Sequence, residues 1–172
     1  MSRAAGALAL GPALCALPAA GRAQSSNDAT FVRQAAAANE QAIRDARLQL
    51  RAGSGESVRT YAQSMIDDDS LALVMLRAAA RDAHLVVPVD ASLPPSPVVA
   101  RGAAPVVNAV APDYFRVVIA DQRQMLALLQ AEASGTGSAA LRTWAADELP
   151  VVTRQLAQAE VQLAEATQFT HP

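Results

Sequence analysis

Three consecutive aspartates, Asp67 to Asp69, are the residues of this sequence that most clearly suggest chemistry. They interrupt an apolar stretch, SMIDDDSLALVM, whose spacing predicts a helix. Carboxylates can bind hard cations, transfer protons, or face water on a helix surface. Successive helical residues are turned by about 100°, so the three side chains cannot share one face. Only Asp69 falls on the core-facing stripe, with Met65 and Ala72.

Other polar residues fall on or beside the core-facing stripes of the predicted helices. Asn39 and Gln122 lie on two of these stripes, and Gln155 lies beside a third. A polar layer inside a helical bundle can hold a metal ion. It can equally be a hydrogen-bonded or hydrated layer that fixes helix register. The candidate metal ligands are therefore Asp69, Asp121, Gln122 and Gln155.

Asp68, Asp69 and Asp121 offer a second possibility, a site for a hard cation such as calcium. In the simpler interpretation, Asp68 and Asp121 are surface or capping carboxylates, and Asp69 hydrogen-bonds to Gln122. We favour the simpler interpretation, because closely spaced acids without a glycine-bearing loop lack the geometry that calcium requires.

The other familiar kinds of site are not suggested by the sequence. The only cysteine, Cys15, lies in a predicted leader, so the mature chain has no thiolate. No glutamate has a histidine three residues later, as di-iron bundles require, and no nucleophile elbow is present. GSGES and GTGS carry no lysine and predict turns. We therefore expect no catalytic residues and no cofactor, and the sequence favours a protein that is not an enzyme over an enzyme.

The N-terminal segment has the layout of a secretory signal peptide. Arg3 precedes an apolar stretch that ends at small residues, which predicts a signal over residues 1–23 with cleavage after Ala23. We expect a periplasmic or secreted protein without a stable membrane span after cleavage. Retention of the uncleaved segment as a membrane tether is the alternative.

The composition favours an all-α fold. The 172 residues are 52% hydrophobic but only 3% aromatic, so the core must be built from Ala, Leu, Val and Ile. All 14 basic residues are arginines, which indicates a GC-rich bacterial genome. The formal net charge is -2 and no arginine stripe forms, so a nucleic-acid partner is not expected.

Glycine turns and a proline-rich segment divide the chain into two helical hairpins. We predict a single domain over residues 24–172, with helices at about 28–51, 56–84, 113–133 and 138–167 and a linker at 85–112. Asn27 or Asp28 is expected to cap the first helix. Pro150 is expected to kink or restart the last helix near Glu148.

The linker between the hairpins is long enough to set the topology. The second helix would be roughly 40 Å long, and the linker can run the whole length of the bundle at up to about 3.3 Å per residue. Helices two and three could then be parallel and joined by one long crossover, as in ferritin-like four-helix bundles. Tyr61 and Trp144 occupy matching places in the segments VRTYA and LRTWA, and are expected to anchor the core.

Four segments, FVRQAAAANEQ, VRTYAQSMIDDD, YFRVVIADQ and DELPVVTRQL, resemble a bacterial exported ferritin-like family, domain of unknown function 4142. The resemblance spans about residues 28–166 and implies a ferritin-like bundle. It also implies that other members carry histidines at the positions of Asp69, Gln122 and Gln155, so that all three are replaced here.

Two functions follow as expectations. The first is an exported, non-catalytic interaction or stress-related module whose partner is another protein or an envelope component. The second is a metal-binding or redox ferritin-like protein with a carboxylate and amide site in the bundle core.

Overall fold

The chain forms four α-helices in a computed structural model that describes residues 19–52, 54–87 and 111–168. The helices are α1 (Ala19–Arg51), α2 (Glu56–Asp82), α3 (Ala111–Ala133) and α4 (Ala139–Gln168). The described residues contain no strand, so the predicted all-α fold is confirmed. The predicted leader falls largely on residues 1–18 and the linker largely on residues 88–110, outside the described residues.

The helices pack as two hairpins that face each other. α1 packs against α2 and α3 against α4, while α2 also contacts α4 and α1 also contacts α3. This arrangement is a four-helix bundle with α2 and α3 at diagonally opposite corners, in agreement with the predicted four-helix bundle. Among the four adjacent pairs, packing is least extensive between α1 and α3.

The aromatic and apolar contacts show that α2 and α3 run in the same direction. Tyr61, near the start of α2, packs edge-on against Phe115, near the start of α3, with ring centroids 5.4 Å apart. At the other end of the bundle, Leu76 of α2 shares an apolar cluster with Leu129 of α3. The parallel orientation agrees with the predicted topology, but the crossover itself falls on residues 88–110, outside the described residues, and stays a prediction.

The start of α1 differs from the sequence prediction. The helix begins at Ala19 rather than near residue 28, because the preceding alanine-rich residues also favour helix. Asn27 and Asp28 therefore lie inside α1, and the prediction that either caps it is wrong. Asp28 instead accepts a hydrogen bond on Oδ2 from the backbone N–H of Ser138, at 3.0 Å, just before α4 begins. The carboxylate of one hairpin thus satisfies a helix end of the other.

Gly137 allows this contact between the hairpins. A Cβ atom at this position would collide with the Asp28 carboxylate and would lie 2.9 Å from Oε1 of Glu132. Only glycine leaves room for the Asp28 side chain to reach the turn.

α2 ends in a backbone cap around His84. The N–H of Leu85 donates to the carbonyl of Ala80 at 2.7 Å, and the N–H of His84 donates to that of Arg81 at 3.0 Å. His84 has a φ of 58°. A helix end closed by these two backbone hydrogen bonds requires the left-handed conformation at this position, just after the C-cap residue Ala83. α2 therefore stops at Asp82, slightly before the predicted end at residue 84.

α4 continues through Pro150 as one helix from Ala139 to Gln168, so the predicted restart near Glu148 does not occur. The proline ring is exposed, and residues on either side of it, Leu141 and Val152, are buried in the core. Packing of both segments in one bundle compensates for the hydrogen bond that proline cannot make.

Aromatic side chains occupy the two ends of the core. At one end Trp144 packs edge-on against Phe31, with ring centroids 5.8 Å apart. At the other end Tyr61 packs edge-on against Tyr114 as well as Phe115. Tyr61 and Trp144 are both buried, which confirms their prediction as core anchors. Small alanines fill much of the space between the two ends, where the polar layer lies.

Candidate functional site

The polar residues predicted on the helix stripes lie inside the bundle. Asn39, Asp69, Gln122 and Gln155 are all buried, with Asp69 only 5% and Gln155 only 1% exposed. The prediction placed Gln155 beside the stripe of α4, whereas the structure places it fully in the core. The predicted polar residues therefore do lie in the core of the bundle, but they do not all contact one another.

Asp69 and Gln155 form the centre of the layer, between α2 and α4. Nε2 of Gln155 lies 3.4 Å from Oδ1 of Asp69 and 3.4 Å from Oδ2 of the adjacent Asp68. The hydroxyl of Tyr61 donates to the backbone carbonyl of Gln155 at 3.1 Å. Gln155 of α4 thus forms hydrogen bonds with three residues of α2. We refer to Asp69 and Gln155 as the carboxyl–amide centre.

Gln122 does not belong to the carboxyl–amide centre, and the predicted hydrogen bond between Asp69 and Gln122 is wrong. Nε2 of Gln122 lies 3.7 Å from the sulfur of Met65, a weak acceptor. Gln122 thus meets α2 about one turn before Asp69, at Met65, whereas Gln155 lies on α4, the direct neighbour of α2, at the level of Asp69. Asn39 is also apart, since its amide donates to the carbonyl of Ala35 in its own helix at 2.8 Å.

Asp121 and Gln122 line a different place, a cavity of about 30 Å³ next to α1 and α3. Asp45, Gln49 and Tyr114 contribute to the same wall. A cavity of this volume has room for on the order of one or two water molecules rather than for an organic substrate. The four candidate ligands therefore divide between two locations, with Asp69 and Gln155 at one and Asp121 and Gln122 at the other.

Asp68 and Asp121 have the surface positions that the simpler interpretation gave them. Asp121 is exposed. Asp68 forms an ion pair with Arg154 of α4, 2.9 Å between Nη2 and Oδ2, and both side chains are substantially solvated. Exposed pairs of this kind contribute about 0–1 kcal/mol. Asp68 therefore supports the α2–α4 contact from the surface while Asp69 lies inside it.

Two oxygens of the carboxyl–amide centre are buried without a hydrogen-bond partner. They are Oδ2 of Asp69 and Oε1 of Gln155. A buried, unsatisfied polar atom costs about 1–3 kcal/mol. A proton can bind to Oδ2 of Asp69 without disturbing the hydrogen bond at Oδ1.

The surroundings of Asp69 favour its protonated form. The pKa of Asp69 is raised to about 7, mainly by burial; the hydrogen bond from Gln155 acts to lower it, and the charges of Asp68 and Glu148 act to raise it. The pKa of Glu148 is itself raised, first by burial and then by Asp68 and Asp147, and is lowered by Arg154. The carboxyl group of Asp69 is therefore a buried group that gains or loses a proton near neutral pH.

Within residues 19–52, 54–87 and 111–168, no three histidine, cysteine, aspartate or glutamate side chains come close enough to hold a metal ion. His84 is exposed at the end of α2, as expected for a residue that ends a helix. A di-iron centre built on paired carboxylate and histidine ligands does not fit the described residues.

A second acidic pair was not predicted from the sequence. Asp28 of α1 and Glu132 of α3 approach each other at the turn before α4, where Oε1 of Glu132 is buried without a partner. Burial raises the pKa of Glu132, the charge of Asp28 raises it further, and Arg142 lowers it. No local signal could have paired these residues, because they lie in different hairpins.

An apolar strip on the outer side of α2 was also missed. Leu71, Val74 and Met75 are 62%, 58% and 51% exposed. Their spacing of three and four residues places them on one side of the helix, opposite the side that carries Asp69. The three- and four-residue spacing of this strip is present in the sequence, but a helix with a buried stripe through Met65 and Ala72 does not require a second apolar side. We call Leu71, Val74 and Met75 the α2 strip.

Comparison with known proteins identifies the family of this chain. A family model described as Domain of unknown function (DUF4142) matches residues 14–161. No curated protein and no solved structure gives a significant match. Separately, none of the described helices has an apolar run long enough to cross a bilayer.

The raised pKa of Asp69 predicts how stability depends on pH. The unfolded value is about 3.9, so the folded state keeps a proton that the unfolded state releases. The resulting stabilisation is complete below about pH 4 and is lost as pH rises through about 7. Asp69→Asn keeps the shape but cannot ionise. We expect its free energy of unfolding, relative to the natural chain, to rise between pH 4 and pH 8 by a few kcal/mol, on the order of 1.4 kcal/mol per pKa unit.

Urea denaturation at several pH values measures this difference. The matched control is Asp67→Asn, which removes an exposed carboxylate from the same helix. If the two variants showed the same pH dependence, the burial of Asp69 would not be the source of the effect.

Proposed function

We propose, from the premise that this chain belongs to the family Domain of unknown function (DUF4142), that it is an exported helical bundle that works by binding another molecule. In this proposal the protein is a non-catalytic interaction or stress-related module of the bacterial envelope. Its docking surface is the α2 strip, and its polar core holds the two hairpins together.

The observation that carries the proposal is the exposure of the α2 strip. Three large apolar side chains on one side of a helix expose more than half of their surface, although the bundle already has a buried side on the same helix. Contiguous apolar surface of this kind marks sites of contact with other macromolecules. Leu71, Val74 and Met75 are also flexible or branched side chains suited to a packed interface.

The position of the polar residues supports a structural use for them. Asp69 and Gln155 are buried between α2 and α4, and their hydrogen bonds join the two hairpins. The Tyr61 hydroxyl adds a further bond across the same contact. The side chains of Asp69 and Gln155 are thus enclosed by the helices that they connect, where a substrate could not reach them.

Photocrosslinking in living cells tests the docking surface. With a benzoylphenylalanine in place of Val74, we expect covalent adducts after irradiation, because the α2 strip faces its partner. Val161 is the matched control position, since it is 54% exposed but lies on α4. Gel mobility and mass spectrometry identify the adducts.

Adducts at position 74 well above those at position 161 would support an interaction module. Equal or negligible adducts at both positions would refute it, because an interaction surface on α2 requires contact at Val74.

Export is tested on the mature protein. We expect protein recovered from the periplasm or medium to begin at Gln24, because the predicted signal ends at Ala23. N-terminal sequencing provides the measurement. A chain that still begins at Met1 and sediments with membranes would support the tethered alternative instead.

A second candidate function is a cation site at the carboxyl–amide centre. It is favoured by the buried, unpartnered Oδ2 of Asp69 and Oε1 of Gln155, which are hard oxygen donors. Mass-spectrometric metal analysis of protein purified without chelators separates the candidates. The interaction module predicts no stoichiometric metal. Metal near one equivalent that Asp69→Asn removes and Asp67→Asn retains would establish the cation site.

A further inference from the structure

We propose that the partner of the α2 strip is a second copy of this chain, docked with the two α2 helices antiparallel. This inference rests on the proposed docking role of the α2 strip and names its occupant. The dimer would have two-fold symmetry, with Val74 close to the axis.

The charges around Val74 are arranged for such a pairing. Asp67 precedes Val74 by seven positions and Arg81 follows it by seven. Seven residues are close to two full helical turns, so Asp67, Val74 and Arg81 lie on nearly the same side of α2. Asp67 and Arg81 are both exposed. A two-fold axis at Val74 therefore sets each Asp67 opposite Arg81 of the other copy.

The same pattern disfavours a parallel pairing. Parallel α2 helices would set Asp67 against Asp67 and Arg81 against Arg81, and like charges directly opposite each other are unfavourable. An isologous contact uses one surface patch twice, so each favourable pair forms twice. The charge pattern thus selects one orientation of a self-complementary surface.

The neighbouring charges do not reverse this preference. Asp68 is already paired with Arg154 of its own chain at 2.9 Å. Asp82 is exposed but lies one position beyond Arg81, so an axis at Val74 does not set it opposite Asp67. Arg77, partly buried on the flank, adds positive charge to the same end as Arg81.

The apolar residues fill the space between the charged ends. Leu71 and Ala78 stand on either side of Val74 on the same side of the helix, so a large and a small side chain alternate along the contact. Met75 widens the strip. The apolar contact is short, since stable interfaces usually bury about 1,200–2,000 Å². We therefore expect a reversible dimer that dissociates on dilution.

Sedimentation of the mature chain over a range of concentrations tests the proposal. The natural chain is expected to shift from monomer to dimer as concentration rises. Val74→Glu should weaken association by at least about tenfold, because it buries a charge at the axis. Val161→Glu, at an exposed position of α4, should leave association unchanged. Circular dichroism and thermal denaturation of each variant check that the fold is intact.

Charge exchange tests the antiparallel orientation. Asp67→Arg and Arg81→Asp alone should each weaken the dimer, on the order of five- to tenfold, because each replaces two attractive pairs by two repulsive pairs. The double variant restores opposite charges across an antiparallel contact and should recover most of the affinity. In a parallel contact the single variants would only exchange one like pair for another and would leave the affinity nearly unchanged.

A natural chain that stays monomeric at high concentration, or a double variant no tighter than the single variants, would overturn the proposal. Crosslinking at position 74 distinguishes this failure from that of the proposed function. Adducts to a different protein, or within the chain to residues 88–110, would reject the second copy. Of these two outcomes, adducts to a different protein would leave the interaction module standing, whereas adducts only within the chain, or none at all, would reject both proposals.

Discussion

The burial of the Asp69 carboxyl group is the constraint on which the fit of the two hairpins depends. Alanine and leucine stripes pack well in several registers, since their surfaces repeat along a helix. A carboxyl group in the same stripe does not. If α4 moved by one turn, about 5.4 Å, Asp69 would lose the Gln155 amide and both groups would be buried without their bond. The cost of unpaired polar groups therefore selects one register.

Two further polar contacts reinforce the same register from other places in the bundle. The Tyr61 hydroxyl reaches the backbone of Gln155, so the aromatic end of the core is tied to the polar layer. At the opposite end, Asp28 of α1 reaches the backbone of Ser138 before α4. These contacts connect the first hairpin to the second at separate levels, which resists both sliding and rotation. Specific polar contacts thus complete the alignment of a core that has few large side chains.

Much of the fold could be predicted from the sequence, because helix periodicity and turn residues are local signals. The four helices, the two hairpins and the burial of Tyr61 and Trp144 follow from such signals. The partner of Asp69 does not, because a stripe shows which side of a helix faces inward but not which neighbour it meets. Choosing Gln155 over Gln122 requires knowing that α4, and not α3, is adjacent to α2. The contact of Asp28 with Ser138 was equally beyond local reasoning, since it depends on how the hairpins meet.

The polar core and the α2 strip belong to one helix but are physically separable. Asp69 and Leu71 are two positions apart, a rotation of about 200° around the helix, so their side chains lie on nearly opposite sides of it. A partner on the outer side of α2 would contact the exposed Asp67 and not the buried carboxyl group of Asp69. Substitutions in the α2 strip could then be selected without disturbing the polar core, and the reverse, because the two share little besides the backbone of α2.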